Sequence, residues 1–440
     1  MLALTKRTAQ HLGAIAALAW ALGAPGASLA QTATCVPGAS GALPVVDTGL
    51  PVVQIWTTAG APVLDRNNYI TACMRIRDGS AQPYQQGLFT GTLKIRGRGN
   101  STWSMPKKGY RLKLDSAAAV LDMPAHKDWV LLANYADKTL LRNAVGMELS
   151  RRVDMPWTPR QRHAEVYLND QYLGNYQIGE KIEVAPNRLA MTPLLATDIA
   201  LPNLSGGYLI EADFLEYMGV SDRYFDTTEG YHFVVQSPSS SSLKAEQFNY
   251  ISQYTQAIET AIYSGNKSPG TGYDSLIDLD SMINWYLVEE VMKNIDAVFA
   301  SSVNLYKDRN AKMKMGPLWD FDLGAGNVDY EPLAMGPTGW YVQTQAAWFE
   351  ALFKDRDFRK RVKARWAVVK RRMQGIDAYI VAQQAMLDRS QAENFKRWPI
   401  LNESVWPNPV VLGSYPAEVS YLRDWLRKRI AWMDKAIAKY

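Results

Sequence analysis

Residues 93–114 read LKIRGRGNSTWSMPKKGYRLKL. The stretch opens as an alternating strand, Leu93-Lys94-Ile95-Arg96. It breaks into a tight basic loop, Gly97-Arg98-Gly99-Asn100-Ser101-Thr102-Trp103, and resumes alternation at Tyr110-Arg111-Leu112-Lys113-Leu114. Period-two alternation on both sides of a glycine-rich break predicts a β-hairpin. Glycines let backbone N–H groups turn inward around an anion, and Arg and Lys add charge. Arg96, Arg98, Lys107, Lys108, Arg111 and Lys113 crowd this one hairpin. Such crowding suits a polyanion, above all a phosphate chain. The competing reading is a solvated edge hairpin whose lysines discourage aggregation.

Working outward, β patterning extends over 51–114, with strands expected at Val52–Thr57 and Ile70–Ile76. Asp128–Asn134 reads as a short apolar strand or the entry to a helix. A helix is expected over Leu140–Val153, capped by Thr139. His163–Ile182 reads as a hairpin turning at Asn169-Asp170. Gly206–Leu215 and Gly230–Gln236 are further strands, and Leu243–Tyr263 a helix. Asp280–Ile295 reads as a strongly apolar helix ending at Asp296. Ser302–Lys307 and Lys312–Trp319 form another expected hairpin, and from about Ala346 the chain reads as helical to its end. The fold class is α+β, with a β-rich N-terminal part and a helical C-terminal part.

The N-terminus carries an address. Lys6 and Arg7 precede the apolar run Leu12–Ala24, and Ser28-Leu29-Ala30 forms a small-x-small site. That is the pattern of a secretory signal peptide over 1–30, cleaved after Ala30, with a loose Gly/Ala/Pro-rich leader over 31–50. The domain proper then runs over 51–440. The apolar run is too short for a permanent membrane anchor. The protein is therefore expected to be exported, to the periplasm or the extracellular space. Cys35 and Cys73 are the two cysteines, and in an exported chain an even pair reads as one disulfide. Loss of two cations and no acid with the leader takes the formal charge from +5 to +3. That balance argues against nucleic acid as the main partner. Lys354–Arg372 carries ten basic residues against two acids, which reads as a solvated helix face.

Hard oxygen donors gather late in the chain. Asp296 follows the apolar helix, at the negative end of its dipole, where an acid is disfavoured unless a cation offsets it. Asn304 lies in the strand VNLYK, and Trp319-Asp320-Phe321-Asp322-Leu323-Gly324 ends the hairpin after it. Two carboxylates and an amide oxygen at such ends suit Mg²⁺, which keeps waters and accepts phosphate oxygens. The alternative is that Asp320 and Asp322 cap a turn before Gly324. Glu180-Lys181, Glu211 and Asp213 also follow apolar strands, where charges are often ordinary solvated ends. Arg142-Asn143 opens a helix, a poor place for a cation unless it faces a ligand or acid. GxxxxGK[ST], HExxH and GxSxG are all missing, and the histidines after the leader are scattered, so a Ser–His hydrolase is not indicated.

Six pieces together resemble the CotH family, spore-coat-H-like proteins with a divergent protein-kinase-like fold. They are RGRGNSTWSMPKKGYRLKL, DWVLLANYADKTLLRNAV, EVYLNDQYLGNYQIGEKI, GGYLIEAD, KNIDAVFASSVNLYKD and PLWDFDLGAGN, in family order over about 91–327. The resemblance implies a bilobal kinase-like fold, ATP and Mg²⁺ as cofactors, and phosphoryl transfer to Ser or Thr of a secreted or surface protein. It implies that Arg96, Gly97, Arg98, Gly99, Asn100 and Ser101 cover the phosphates. Lys113 would be the strand lysine on the α/β-phosphates, with Lys108 second and Glu148 a partner. Asp296 would orient the acceptor hydroxyl. Asn304 and Asp320 would hold metal, with Asp322 close behind, and Glu180-Lys181 would form a nucleotide-contacting hinge. His-Arg-Asp is missing, Asp296 to Asn304 is eight residues rather than five, and the loop is arginine-rich.

Two rivals stand beside that reading. One is a non-catalytic surface or matrix module gripping an anionic polymer or a glycan. The other is a carbohydrate-active enzyme pairing Glu211 with Asp213 or Asp322. Its basic neighbourhood would depress the acid's pKa, the wrong direction for a general acid.

Overall fold

The structure is a computed structural model and describes residues 46–78 and 89–440. The signal-like segment, most of the leader, and Cys35 lie outside the described residues. Cys73, its expected disulfide partner, is buried on the second strand.

Seven strands close into a barrel in the order β1-β2-β3-β4-β5-β7-β6. They are β1 Val52–Thr57, β2 Ile70–Arg77, β3 Phe89–Arg98, β4 Gly109–Val120, β5 Met123–Leu132, β6 Gln161–Leu168 and β7 Gln171–Glu180. Alternate residues, among them Val53, Ile55, Leu93, Ile95, Leu112, Trp129 and Tyr176, fill the interior, as the pleat requires. β6 and β7 meet at Asn169 and Asp170, both at positive φ. Asn and Asp tolerate that conformation, which sets a two-residue hairpin turn. The seam closes where β1 runs parallel to β6, Val52 beside Glu165. Glu165 is fully buried there, held by Thr48 Oγ1 at 2.8 Å and Tyr172 Oη at 2.6 Å. Thr48 thus anchors the end of what reads in sequence as a loose leader.

A second sheet has the order β12-β11-β8-β10-β9: β8 Tyr208–Ala212, β9 Tyr224–Asp226, β10 His232–Ser237, β11 Val303–Lys307 and β12 Lys314–Met315. It packs with helices around the main core. The helix Leu279–Met292 is buried almost all round, and Asp278 caps it by accepting from Ser281 N. A helix apolar on every side belongs in a core. The chain is thus mixed α+β, sheet-rich at the N-terminal end and helical at the other.

Three expectations change. The apolar helix stops at Met292, because Lys293 turns left-handed at φ 44°. Asp296 sits in a separate short turn, Ile295–Ala297, so the helix-dipole argument does not apply to it. The hairpin strand after β11 is only Lys314–Met315, because the chain turns away through Gly316-Pro317, so Asp320 and Asp322 lie in a loop rather than at a strand end. Finally, the C-terminal helices are interrupted over 398–414, between Asp388–Arg397 and Tyr415–Ile437. Among the described residues no helix is long and apolar enough to cross a membrane. The basic helix Arg356–Gln374 buries Phe358, Val362, Trp366, Val369 and Met373 and turns most of its cations outward.

Candidate functional site

The β3–β4 loop, the end of β8 and the loops after Met292 and Trp319 line one cleft of about 700 Å³. It continues into a recess of about 180 Å³ bordered by Arg111, Lys181 and Asn304.

Carboxylates make the floor. Glu211, Asp213, Asp296, Asp320 and Asp322 all line the larger cleft. Burial pushes every one of them upward, Asp296 to about 7 and Glu211 to about 8; repulsion between neighbours adds to it at Glu211, Asp213, Asp296 and Asp322, whereas Arg98 and Asp322 hold Asp320 back. Asp322 rises well above the carboxylate range, through burial and then through Asp320 and Asp296. The two carboxyls act on each other, so the pair resists ionising both at once. Arg98 reaches into this group. Burial lowers its pKa, while Asp320, Glu211 and Asp322 raise it, and its guanidinium lies over the Trp319 ring. A basic environment does not depress Glu211, as sequence reasoning expects. Burial and Asp213 outweigh Arg98 and Lys181.

Each floor residue is held by neighbours. Asn294 Oδ1 accepts from Asp296 N at 3.4 Å, and Asn294 Nδ2 donates to Asp320 O at 3.1 Å. One amide therefore fixes both segments. Phe321 N donates to Asn143 Oδ1 at 2.8 Å. Arg142 faces an acid, as its position demands: Nη1 meets Asp137 Oδ1 at 2.6 Å and Nε donates to Gly324 O at 3.1 Å. The start of the helix Arg142–Arg152 thus grips the loop on both sides of Phe321.

The roof is the basic loop. Gly99, Asn100, Ser101 and Thr102 line the cleft with Arg96 and Arg98. Gly97 plays another part: its N–H is tied to Asp65 O at 2.8 Å, and a Cβ there would overlap the Trp103 ring. Arg66 Nη1 props the loop by donating to Gly99 O at 2.7 Å and Asn100 Oδ1 at 3.0 Å. Lys108 faces away from the cleft, donating to Trp103 O at 2.6 Å, and is a loop strut. Lys107 is buried between Asn175 and Asn394.

The cations do not fall where sequence places them. Lys113 is exposed on β4 and lines neither recess. Glu148 is engaged by Arg151 and Arg152. The smaller recess is lined by Arg96 and Arg98 from the roof, by Arg111, which also meets Asp128 at 2.8 Å, and by Lys181. Glu180 is fully buried and held by Arg160 at 2.8 Å, so it positions Lys181 rather than facing the cleft. Asn304 pairs in register with Glu211, and its Nδ2 donates to Ser302 O and Pro317 O.

Aromatic residues complete the mouth. Tyr330 stacks on Trp406, centroids 5.7 Å apart and planes 10° apart, and Phe214 meets Tyr217 edge-on at 5.5 Å. Trp406 comes from the non-helical stretch 398–414, which sequence periodicity reads as helix. Asn408 anchors that stretch by donating to Asn327 Oδ1 at 2.8 Å, and Asn327 in turn donates to Asp322 O at 2.8 Å.

Comparison with known proteins adds one finding. The family model described as CotH kinase protein matches residues 95–433, spanning the roof, the floor and the helical C-terminal part. No curated protein matches the chain.

Proposed function

Since the chain belongs to the CotH kinase protein family, we propose that it is an exported atypical protein kinase on a divergent kinase-like bilobal frame. It transfers the γ-phosphoryl group of Mg-ATP to Ser or Thr of a secreted or surface protein. The observation that carries this reading is Arg98 set among Glu211, Asp320 and Asp322 in one cleft. A half-buried acid cluster of this kind is unfavourable without positive charge.

The donor set fits a divalent cation. Asp320 and Asp322, with Asn304 and Glu211 behind them, are hard oxygen ligands of the type Mg²⁺ takes. When bound, the ion would neutralise phosphate charge. The chain's own residues supply the rest. Arg96 and Arg98, with the backbone of 99–101, cover a triphosphate from above. Arg111 and Lys181 are the strand and hinge cations within reach of its inner phosphates, in place of Lys113 and Lys108. Asp296, raised to about 7, accepts a proton from an acceptor hydroxyl. A base poised near neutral pH is effective there. Positioning and charge stabilisation account for catalysis of this class.

Calorimetric titration of Mg-ATP into the protein from Gln31 onward tests the reading. Metal-dependent binding that Asp320→Asn abolishes is the expected result. A folded protein that ignores millimolar Mg-ATP would refute it.

A further inference from the structure

The nucleotide reading assigns the floor, the roof and the smaller recess, and leaves the mouth of the cleft without a task. Two aromatic pairs stand there, from chain segments far apart in sequence: Phe214 with Tyr217, and Tyr330 with Trp406. Large aromatic side chains are normally packed away. Here Tyr330 is 50% exposed, Trp406 49% and Phe214 38%. Both pairs converge on Asp296. Its charge acts on Tyr217 and on Tyr330, and Tyr217 acts on Tyr330. The rings therefore share the cleft with the carboxylate that handles the acceptor hydroxyl, and Asp296 is the acid that both tyrosines feel.

The mouth also says what it turns away. Glu216 and Glu331 stand in these same segments, and Asp329 adjoins Tyr330. An acidic acceptor meets repulsion on both sides. Exposed aliphatic residues adjoin the rings in sequence: Leu215 follows Phe214 and is 44% exposed, and Leu333 comes three after Tyr330 and is 50% exposed. Sugars stack on rings but gain little from isobutyl groups. Apolar peptide side chains gain from both.

We propose that the two aromatic pairs form an acceptor clamp. It selects an extended peptide in which the Ser or Thr that presents its hydroxyl to Asp296 has an aromatic side chain as its neighbour. The inference rests on the phosphoryl-transfer reading for its orientation, but its test reads binding and not turnover. A ring entering the mouth meets aromatic surface from both pairs, and aromatic rings pair favourably both stacked and edge-on.

The experiment uses the protein from Gln31 onward and two blocked, fluorescein-labelled hexapeptides. One has Ser followed by Phe and the other Ser followed by Ala. Anisotropy is followed with Mg²⁺ present, with and without ATP, and Mg-ATP affinity is measured separately by calorimetry. The Phe peptide is expected to bind at least tenfold more tightly than the Ala peptide. Trp406→Ala and Tyr217→Leu should erase that ratio. Equal binding of the two peptides, no binding of either at millimolar concentration, or a ratio that survives both substitutions would overturn the clamp. If Mg-ATP fails to bind while the ratio holds, the nucleotide reading falls and the clamp stands. If Mg-ATP binds and the ratio is absent, the reverse follows. Displacement of the Phe peptide by chitotetraose at equal concentration would also overturn it, by assigning the rings to a glycan.

Discussion

The ring of Phe321 lies flat against the backbone of the helix Arg142–Arg152 at Gly146, where any Cβ would overlap it. Phe321 is fully buried and stands between two acids that burial pushes toward protonation. The helix therefore sets the height of the acid loop through a contact only glycine permits.

Gly146→Ala should push Phe321 outward and carry Asp320 and Asp322 with it. Overpacking of this kind costs about 1–3 kcal/mol. Mg-ATP affinity should fall at least tenfold by calorimetry, beyond what the lower stability explains. Gly146→Ala combined with Phe321→Leu should recover part of both losses. Unchanged affinity in the single variant would disconnect the helix from the loop.

Asp322→Asn should have opposite effects on stability and binding. A neutral amide in place of a carboxyl that resists ionising at this site spares the metal-free protein the cost of holding it, about 1 kcal/mol for each unit of upward shift. The melting temperature in EDTA should rise, and stabilisation by Mg-ATP should disappear. A variant that melts lower in EDTA would show that Asp322 is held by a partner other than Asp320.

Stability should depend on pH in a direction opposite to that of salt-bridged acids. Asp296 and Glu211 have folded values of about 7 and 8 against ordinary values of 3.8 and 4.5. The folded state therefore holds protons that the unfolded chain has released. Their contribution is whole below pH 4 and is lost as pH rises through 7 and 8. Urea melts in EDTA should show lower midpoints at pH 8 than at pH 5.5, and Mg²⁺ should narrow the gap. A flat profile would contradict the burial of these two acids.

Arg111 and Lys113 share one face of β4 but reach different places. Arg111→Met should weaken Mg-ATP binding by about tenfold or more, as loss of a charge-assisted contact does, while Lys113→Met should leave it within twofold. The reverse ranking would restore Lys113 to the phosphates.

Sequence reasoning reached the local structure wherever local chemistry dictates it. Alternation located β1, β3 and β4, and Asn169-Asp170 marked its own turn. The RGRGNS loop and the acids Asp296 and Asp320 were legible as charged residues out of keeping with their neighbours. Periodicity could not say that Lys113 lies too far along β4, because positions two apart look alike on one face. It could not locate the end of the apolar helix at Met292, since Lys293 carries no glycine or asparagine signal for its left-handed turn. Asn294, which fixes Asp296 and Asp320 together, and Trp406, which reaches the mouth from a break among helices, act through contacts distant in sequence. The closure of the sheet into a barrel was equally hidden, because no local pattern announces a parallel seam.

That seam constrains the order of assembly. The backbone of Val52–Ile55 bonds to residues 165–168, which emerge from the ribosome long after it does. Until then β1–β5 can form only an open sheet with an unpaired edge, and the roof loop at 97–103 has no settled floor beneath it. Joining distant segments is the slow, entropically costly step of folding. A chain built this way stays unfinished while it is short, so its cleft takes shape only after the central hairpin β6–β7 has been made and docked.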